Sequence, residues 1–242
     1  METASAPPPP QRSWTLEELR HAARLAFTTG PGERVDTAAL AAAAGVSPRQ
    51  VQRWLGGHAR PGQQAAHRLR AALLPAPDVL QRQEDDARNA AEAAAEVERA
   101  SQRDGAFSSP VALWAERGWL GEHLLLVVLN PDLGYARAGV VGAHAPNVAR
   151  LRTSPPRPAS VPGGRWQVLD AYGTGHRFDA VVLRHALLRE VGPWRTRVHP
   201  DRMPKGHSDG WLAGAPVPDL SRLARRAGVR GRRERHRWVE GA

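Results

Sequence analysis

With 41% hydrophobic residues in 242, the chain can bury a core, while 21 prolines and 23 glycines break it often enough that part of it should stay irregular. The absence of cysteine excludes disulfides, thiolate zinc sites and thiol nucleophiles, and no run approaches the ~18–20 apolar residues of a membrane span. A net charge of +10 fits a polyanionic partner, although Lys205 is the only lysine among 34 basic residues, a bias that a GC-rich genome produces without any function.

Residues 1–13, with four consecutive prolines and no apolar period, read as an unfolded or polyproline-like leader. From Trp14 the pattern changes. Ser13 or Thr15 before Glu17 and Glu18, then Leu16, Leu19, Ala23 and Phe27, predict a capped amphipathic helix that "TTGPGER" ends. Asp36 or Thr37 caps a second helix running to Ala44, and Gly45 stops it. Ser47 followed by Pro48 opens a third, since proline at the first helical position loses no hydrogen bond. Gly56 and Gly57 close it, and "QQAAHRLRAALL" gives a fourth helix ending before Pro75. Residues 78–103 contain neither Gly nor Pro and predict one long helix, in which Ala87, Ala90, Ala94 and Val97 make a narrow seam or simply part of a solvated linker.

Beyond it, "PVALWAERGWL" reads as a helix, "HLLLVVL" and "YARAGVVGA" as strands joined by the turn "NPDLG", "RWQVLDAY" as a strand, and "RFDAVVLRHALLREV" as a helix. A last helix, "DLSRLARRAG", precedes an arginine-rich end. The expected fold is therefore mixed: a leader over 1–13, an all-α unit over 14–76, a linker or dimerisation helix over 78–104, a small α+β domain over 107–195, and a basic, partly disordered tail over 196–242.

The second and third helices carry the functional signal. Small Ala41 lets two helices approach, Gly45 permits a tight turn, and Leu40, Ala44, Val46, Val51 and Trp54 face a core. Ser47, Arg49, Gln50, Gln52 and Arg53 are left outward, and arginine and glutamine are the side chains that pair with guanine O6/N7 and adenine N6/N7. Between Gly45 and Pro77 the charged residues are all basic, and Arg60, Arg68 and Arg70 are candidate phosphate contacts. The stretch "TAALAAAAGVSPRQVQRWLGGHARPGQQAAHRLRAAL", residues 37–73, resembles the Cro/C1-type, Xre-like repressor family. The resemblance implies a helix-turn-helix domain whose Pro48–Leu55 helix enters the major groove, with Ser47, Arg49, Gln52 and Arg53 at usual contact positions. The loop "TTGPGERVD" between the first two helices is longer than that family has.

The function expected is thus sequence-specific binding of double-stranded DNA, with repressor-like regulation of transcription by operator occupancy, in the cytoplasm and on the nucleoid. The alternatives are a plasmid or phage replication, partition or packaging protein, and a protein-interaction module. "GVSPRQVQRW" is also similar to telomere terminal proteins of linear actinobacterial replicons, for which Tyr135 and Tyr172 are the candidate hydroxyls. The sequence is compatible with a monomer, with a homodimer through residues 87–97 or the α+β domain, and with a small-molecule or protein effector on that domain. A second basic clamp is suggested by eight arginines from Arg222 to Arg237. No enzymatic site, metal or cofactor is expected. His199, Asp201, His207 and Asp209 have ligand chemistry in no recognisable spacing, and "GTGH" lacks the glycine and lysine pattern of a nucleotide loop.

Overall fold

The computed structural model describes residues 14–29, 34–102, 110–144, 166–203 and 206–234. The leader expected over 1–13 and the arginines after Glu234 lie outside the described residues. Among the described residues the architecture is mixed α/β, with eight α-helices, a two-stranded hairpin and a six-stranded antiparallel sheet.

Helix α1 (Leu16–Phe27) opens on a reciprocal cap: Glu18 N–H donates to Thr15 Oγ1 at 3.1 Å, and Thr15 N–H donates to the Glu18 carboxylate at 2.8 Å. On either side of the stretch over 30–33, β1 (Thr28–Thr29) pairs antiparallel with β2 (Arg34–Val35), where the sequence suggests only a break. Tertiary anchoring explains this, because Thr28 is buried and Asp36 N–H reaches Phe27 O at 2.7 Å. Helices α2 (Thr37–Ala44), α3 (Pro48–Leu55) and α4 (Gln63–Leu73) follow at the expected places. Leu19, Ala23, Leu40, Ala41, Val51, Trp54, Leu69 and Leu73 form their common core.

Helix α5 (Pro77–Gln102) packs along α7 (Arg177–Glu190) and buries Ala87 and Ala90. The alanine seam is therefore filled at these two positions from within the chain, where small side chains let the helices approach. Gln83, on a face that reads as polar, is also buried: its amide donates to Asp209 at 2.6 Å and accepts from Arg195 at 2.8 Å.

After the short α6 (Val111–Glu116) come β3 (His123–Asn130), β4 (Tyr135–Gly142), β5 (Gln167–Thr174) and α7. Strand β3 lies between β4 and β5 with both faces covered, which is why it reads as an unbroken apolar run. The expected tail departs most from its prediction. Residues from Arg195 to Arg233 supply β6 (Arg195–Thr196), β7 (Gly210–Leu212), α8 (Leu220–Arg226) and β8 (Gly231–Arg233), and the sheet order is β6-β7-β4-β3-β5-β8. Fully buried Trp211 anchors β7, and Gly210 is needed there because a Cβ would collide with Ala136 O and the Tyr135 ring. Leu125, Val127 and Ala138 on one sheet face pack with Leu183, Leu187 and Leu223 of α7 and α8.

The sheet and the N-terminal helices share core. Tyr135, Val198, Met203 and Leu212 belong to the same apolar cluster as α1–α4. Helix ends leave carbonyls without intrahelical partners. Here His199 N–H donates to Leu25 O at 2.9 Å and Arg197 N–H to Leu73 O at 3.0 Å, so the segment after β6 caps both α1 and α4. No helix among the described residues is long and apolar enough to cross a membrane.

Candidate nucleic-acid interface

The turn between α2 and α3 is built by its sequence. Asp36 caps α2 by accepting from Ala38 and Ala39 N–H, and Gly45 ends it with φ 68° and ψ 41°, the left-handed conformation that glycine adopts without steric cost. The Arg68 guanidinium, the mobile end of an exposed side chain, lies over Gly45. Val46 N–H returns to Ala41 O at 3.1 Å, and the chain re-enters a helix two residues later.

Ser47 is the N-cap of α3, with Pro48 in the first turn. Gln50 N–H donates to Ser47 Oγ at 3.3 Å, while the Gln50 side-chain oxygen accepts from Ser47 N–H at 3.2 Å. Gln50 is therefore a capping residue as well as an exposed one, and its amide N–H groups are freer to meet a base edge than its oxygen. At the other end, the Arg20 guanidinium donates to Leu55 O at 2.5 Å and tethers α3 to α1. Val51 and Trp54 face the core, and Arg49, Gln50, Gln52 and Arg53 are all exposed. At 3.6 residues per turn Gln52, Arg49 and Arg53 fall within about 100° of one another, opposite Val51 and Trp54, and Gln50 lies at the edge of that face.

Arg60 is exposed in the loop before α4, and Arg68 is exposed on α4. Among the described residues Arg49, Arg53, Arg60 and Arg68 make no ion pair, and no acid occurs between Gly45 and Pro77 to offer one. Arg70 differs and is removed from the phosphate-contact set. It donates to Pro193 O at 3.1 Å and lies 4.8 Å from the Trp14 ring centroid, while the Trp14 indole N–H donates to the same carbonyl at 2.7 Å. Arg70 thus joins the helices to the sheet, because its position on α4 turns it toward the 3₁₀ turn at Gly192–Trp194.

The described arginines of the expected tail are also mostly engaged. Arg222 and Arg226 pair with Glu190, Arg230 with Glu98, Arg232 with Glu234, and Arg233 with the buried Asp170 carboxylate at 3.0 Å. Sequence reasoning missed these acids because three of them, Glu98, Asp170 and Glu190, come from distant segments.

The remaining polar candidates are structural. Tyr135 is fully buried, donates its hydroxyl to His207 O at 3.2 Å, and has its pKa pushed well up by burial, so it is no accessible nucleophile; Tyr172 is 5% exposed. These placements remove the support for either tyrosine as a DNA-linked hydroxyl. His176 caps α7, its Nδ1 accepting from Asp179 N–H at 3.3 Å, and the Asp179 carboxyl is held above its ordinary range by burial, against the opposing pull of His176. His199 and Asp201 approach to 3.5 Å, while Asp209 accepts from Gln83; no group of three or more His, Asp or Glu placed to hold a metal occurs among the described residues. Comparison of the chain with protein-family models, with curated proteins and with solved structures finds no match.

Proposed function

We propose that this chain binds double-stranded DNA sequence-specifically through a helix-turn-helix formed by α2, the Gly45 turn and α3, and that it regulates transcription by occupying an operator. The observation that carries this reading is the outward face of α3. Arg49, Gln50, Gln52 and Arg53 are exposed together on a rigidly capped helix, with no neighbouring acid to neutralise them. A solvated face usually mixes signs, and burying unpaired arginines against DNA replaces water with phosphate and guanine.

In this reading residues 14–76 are the DNA-binding unit, α5 is the connecting helix and the sheet is the body that holds it. Arg49, Gln50, Gln52 and Arg53 reach base edges, Ser47 at the tip of α3 and the Gln50 cap set its entry angle, and Arg60 and Arg68 hold phosphates on either side. The test is selection of duplexes from a random-sequence library by the full chain, with the Arg49→Ala/Gln52→Ala variant beside it. An enriched motif that the variant loses is the expected result, and a two-fold motif would report a dimer reading paired half-sites. Retention without any motif would turn the reading toward an architectural or replication role, and no retention would leave a protein-binding module.

A further inference from the structure

The hairpin between α1 and α2 lies outside the α2–α3 motif. Only four of its residues are described, yet they are firmly set: Thr28↔Val35 forms the inner pair, with Thr28 buried and Val35 against the helical core, and Thr29↔Arg34 forms the outer pair. Both outer residues are exposed, and directly paired residues share one face of a hairpin. Arg24, in the last turn of α1, is exposed at the same end.

The flank beside this end is already covered by the sheet body. His199 N–H holds Leu25 O, and Arg197 stacks 5.5 Å from the Phe27 ring centroid. Arg24, Thr29 and Arg34 remain outside that contact, and neither arginine has an ion pair or hydrogen bond among the described residues. Asp36, the described acid closest in sequence to Arg34, is engaged by Ala38 and Ala39 N–H, and Glu33 lies outside the described residues.

That engagement has a consequence for DNA. A helix N-terminus is ordinarily an anion site through its free N–H groups, and the first helix of the motif crosses the phosphate backbone. In this chain Asp36 occupies those donors on α2, so a phosphate at this end needs another partner. The eight residues of α2 separate the hairpin from the Gly45 turn by about 12 Å, which is about the width of the major groove that α3 would enter.

We propose that the described β1–β2 strand pair is a second DNA-contacting element, in which the Arg34 guanidinium, on the same face as Thr29, binds a backbone phosphate on the groove wall in place of the occupied α2 N-terminus. The proposal rests on the DNA-binding reading of α3. Arg34 fixes register and adds affinity without reading sequence, as phosphate contacts do.

The experiment uses the full chain, the duplex recovered by selection, and copies of it with single phosphates replaced by uncharged methylphosphonate. Arg34→Ala should weaken binding about fivefold at 0.15 M salt and lower the salt slope by about 0.9, the change expected when one counterion-releasing phosphate interaction is removed. One flanking methylphosphonate should weaken the native chain and leave Arg34→Ala indifferent, while Arg34→Lys restores the sensitivity. The thermal midpoint of all three proteins should agree, because Arg34 touches no core. If Arg34→Ala keeps native affinity and salt slope while Arg60→Ala reduces both, the hairpin's role is overturned and the reading of α3 stands. If the native chain retains no duplex at all, both fall together.

Discussion

The arginines around α3 and those of the C-terminal segment, α8 to β8, come from the same biased composition, and the fold treats them in opposite ways. Arg49, Arg53, Arg60 and Arg68 stand exposed in a stretch without a single acid, whereas Arg222, Arg226, Arg230, Arg232 and Arg233 each meet a carboxylate. Charge counted along the chain does not separate the two groups. Charge counted after pairing does, because a guanidinium that keeps a carboxylate beside it must give up that partner, or bring its negative charge along, to meet a phosphate, while an unpaired one is free to displace the counterions condensed on the duplex. In the proposed reading the first group is the one that meets DNA, and within the second the pair with the buried Asp170 carboxylate is the one that bears on fold stability.

Removing cations from each group tests that assignment most directly. Arg49→Ala/Arg53→Ala should cost about 1–3 kcal/mol for each base left without its arginine, which moves the selected duplex toward its non-specific affinity. Arg230→Ala/Arg232→Ala should change duplex binding by less than about 0.5 kcal/mol, the scale of exposed ion pairs. Fluorescence anisotropy titrations of both variants at one salt concentration provide the check. Equal weakening would show that the pairing seen in the fold does not govern DNA binding.

Stability should respond the other way round. Among the described residues Arg233→Ala leaves the Asp170 carboxylate, 4% exposed, with its bond from Ala171 N–H alone, and depriving a buried acceptor of its partner costs about 1–3 kcal/mol. Urea denaturation should report that destabilisation with native duplex affinity retained.

The sequence made α3 legible and this pair illegible for a physical reason. Ser47, Pro48 and Gly45 act within a few residues, and the spacing of Val51 and Trp54 is local, so the motif could be read directly. Strands β6, β7 and β8 are two or three residues long and form only by pairing with distant partners, as in Arg137↔Gly210 and Tyr172↔Arg233. A strand that short carries no period, and arginines surrounded by glycine read as tail. Gln83 and the β1–β2 hairpin were hidden likewise, since only tertiary partners bury the one and order the other.

Acid should weaken the body of the protein through buried His123 and half-buried His185. Burial holds His123 and His185 below their ordinary pKa near 6.5; Arg177 and His176 press His123 further in that direction, and Arg189 does so for His185. The His123 Nδ1–H donates to Gly121 O at 2.8 Å and partly opposes the shift. A histidine with a lowered folded pKa binds fewer protons folded than unfolded, so its contribution is complete above about pH 6.5 and is lost as pH falls below it. Asp179, held above its ordinary range, acts in the opposite sense, its penalty easing as pH falls toward its folded pKa. The urea midpoint should therefore drop from pH 7.5 to 6, and His123→Gln should flatten that drop. An unchanged slope in the variant would assign the effect elsewhere.

The smallest effect separates two roles within α3 itself. Gln50 caps Ser47 and also stands on the exposed face, and Gln50→Glu keeps the cap geometry, since a glutamate at this position accepts from Ser47 N–H equally well. An acid in the first turn favours the helix dipole by a few tenths of a kcal/mol, so thermal stability should hold or rise slightly. Against DNA the same carboxylate faces phosphate and cannot donate to a base, so duplex affinity should fall by about 1 kcal/mol or more. Gln50→Ala should instead cost about 0.5–1 kcal/mol of stability through the broken reciprocal cap. If Gln50→Glu binds the selected duplex as well as the native chain, Gln50 serves the cap alone, and the reading face narrows to Arg49, Gln52 and Arg53.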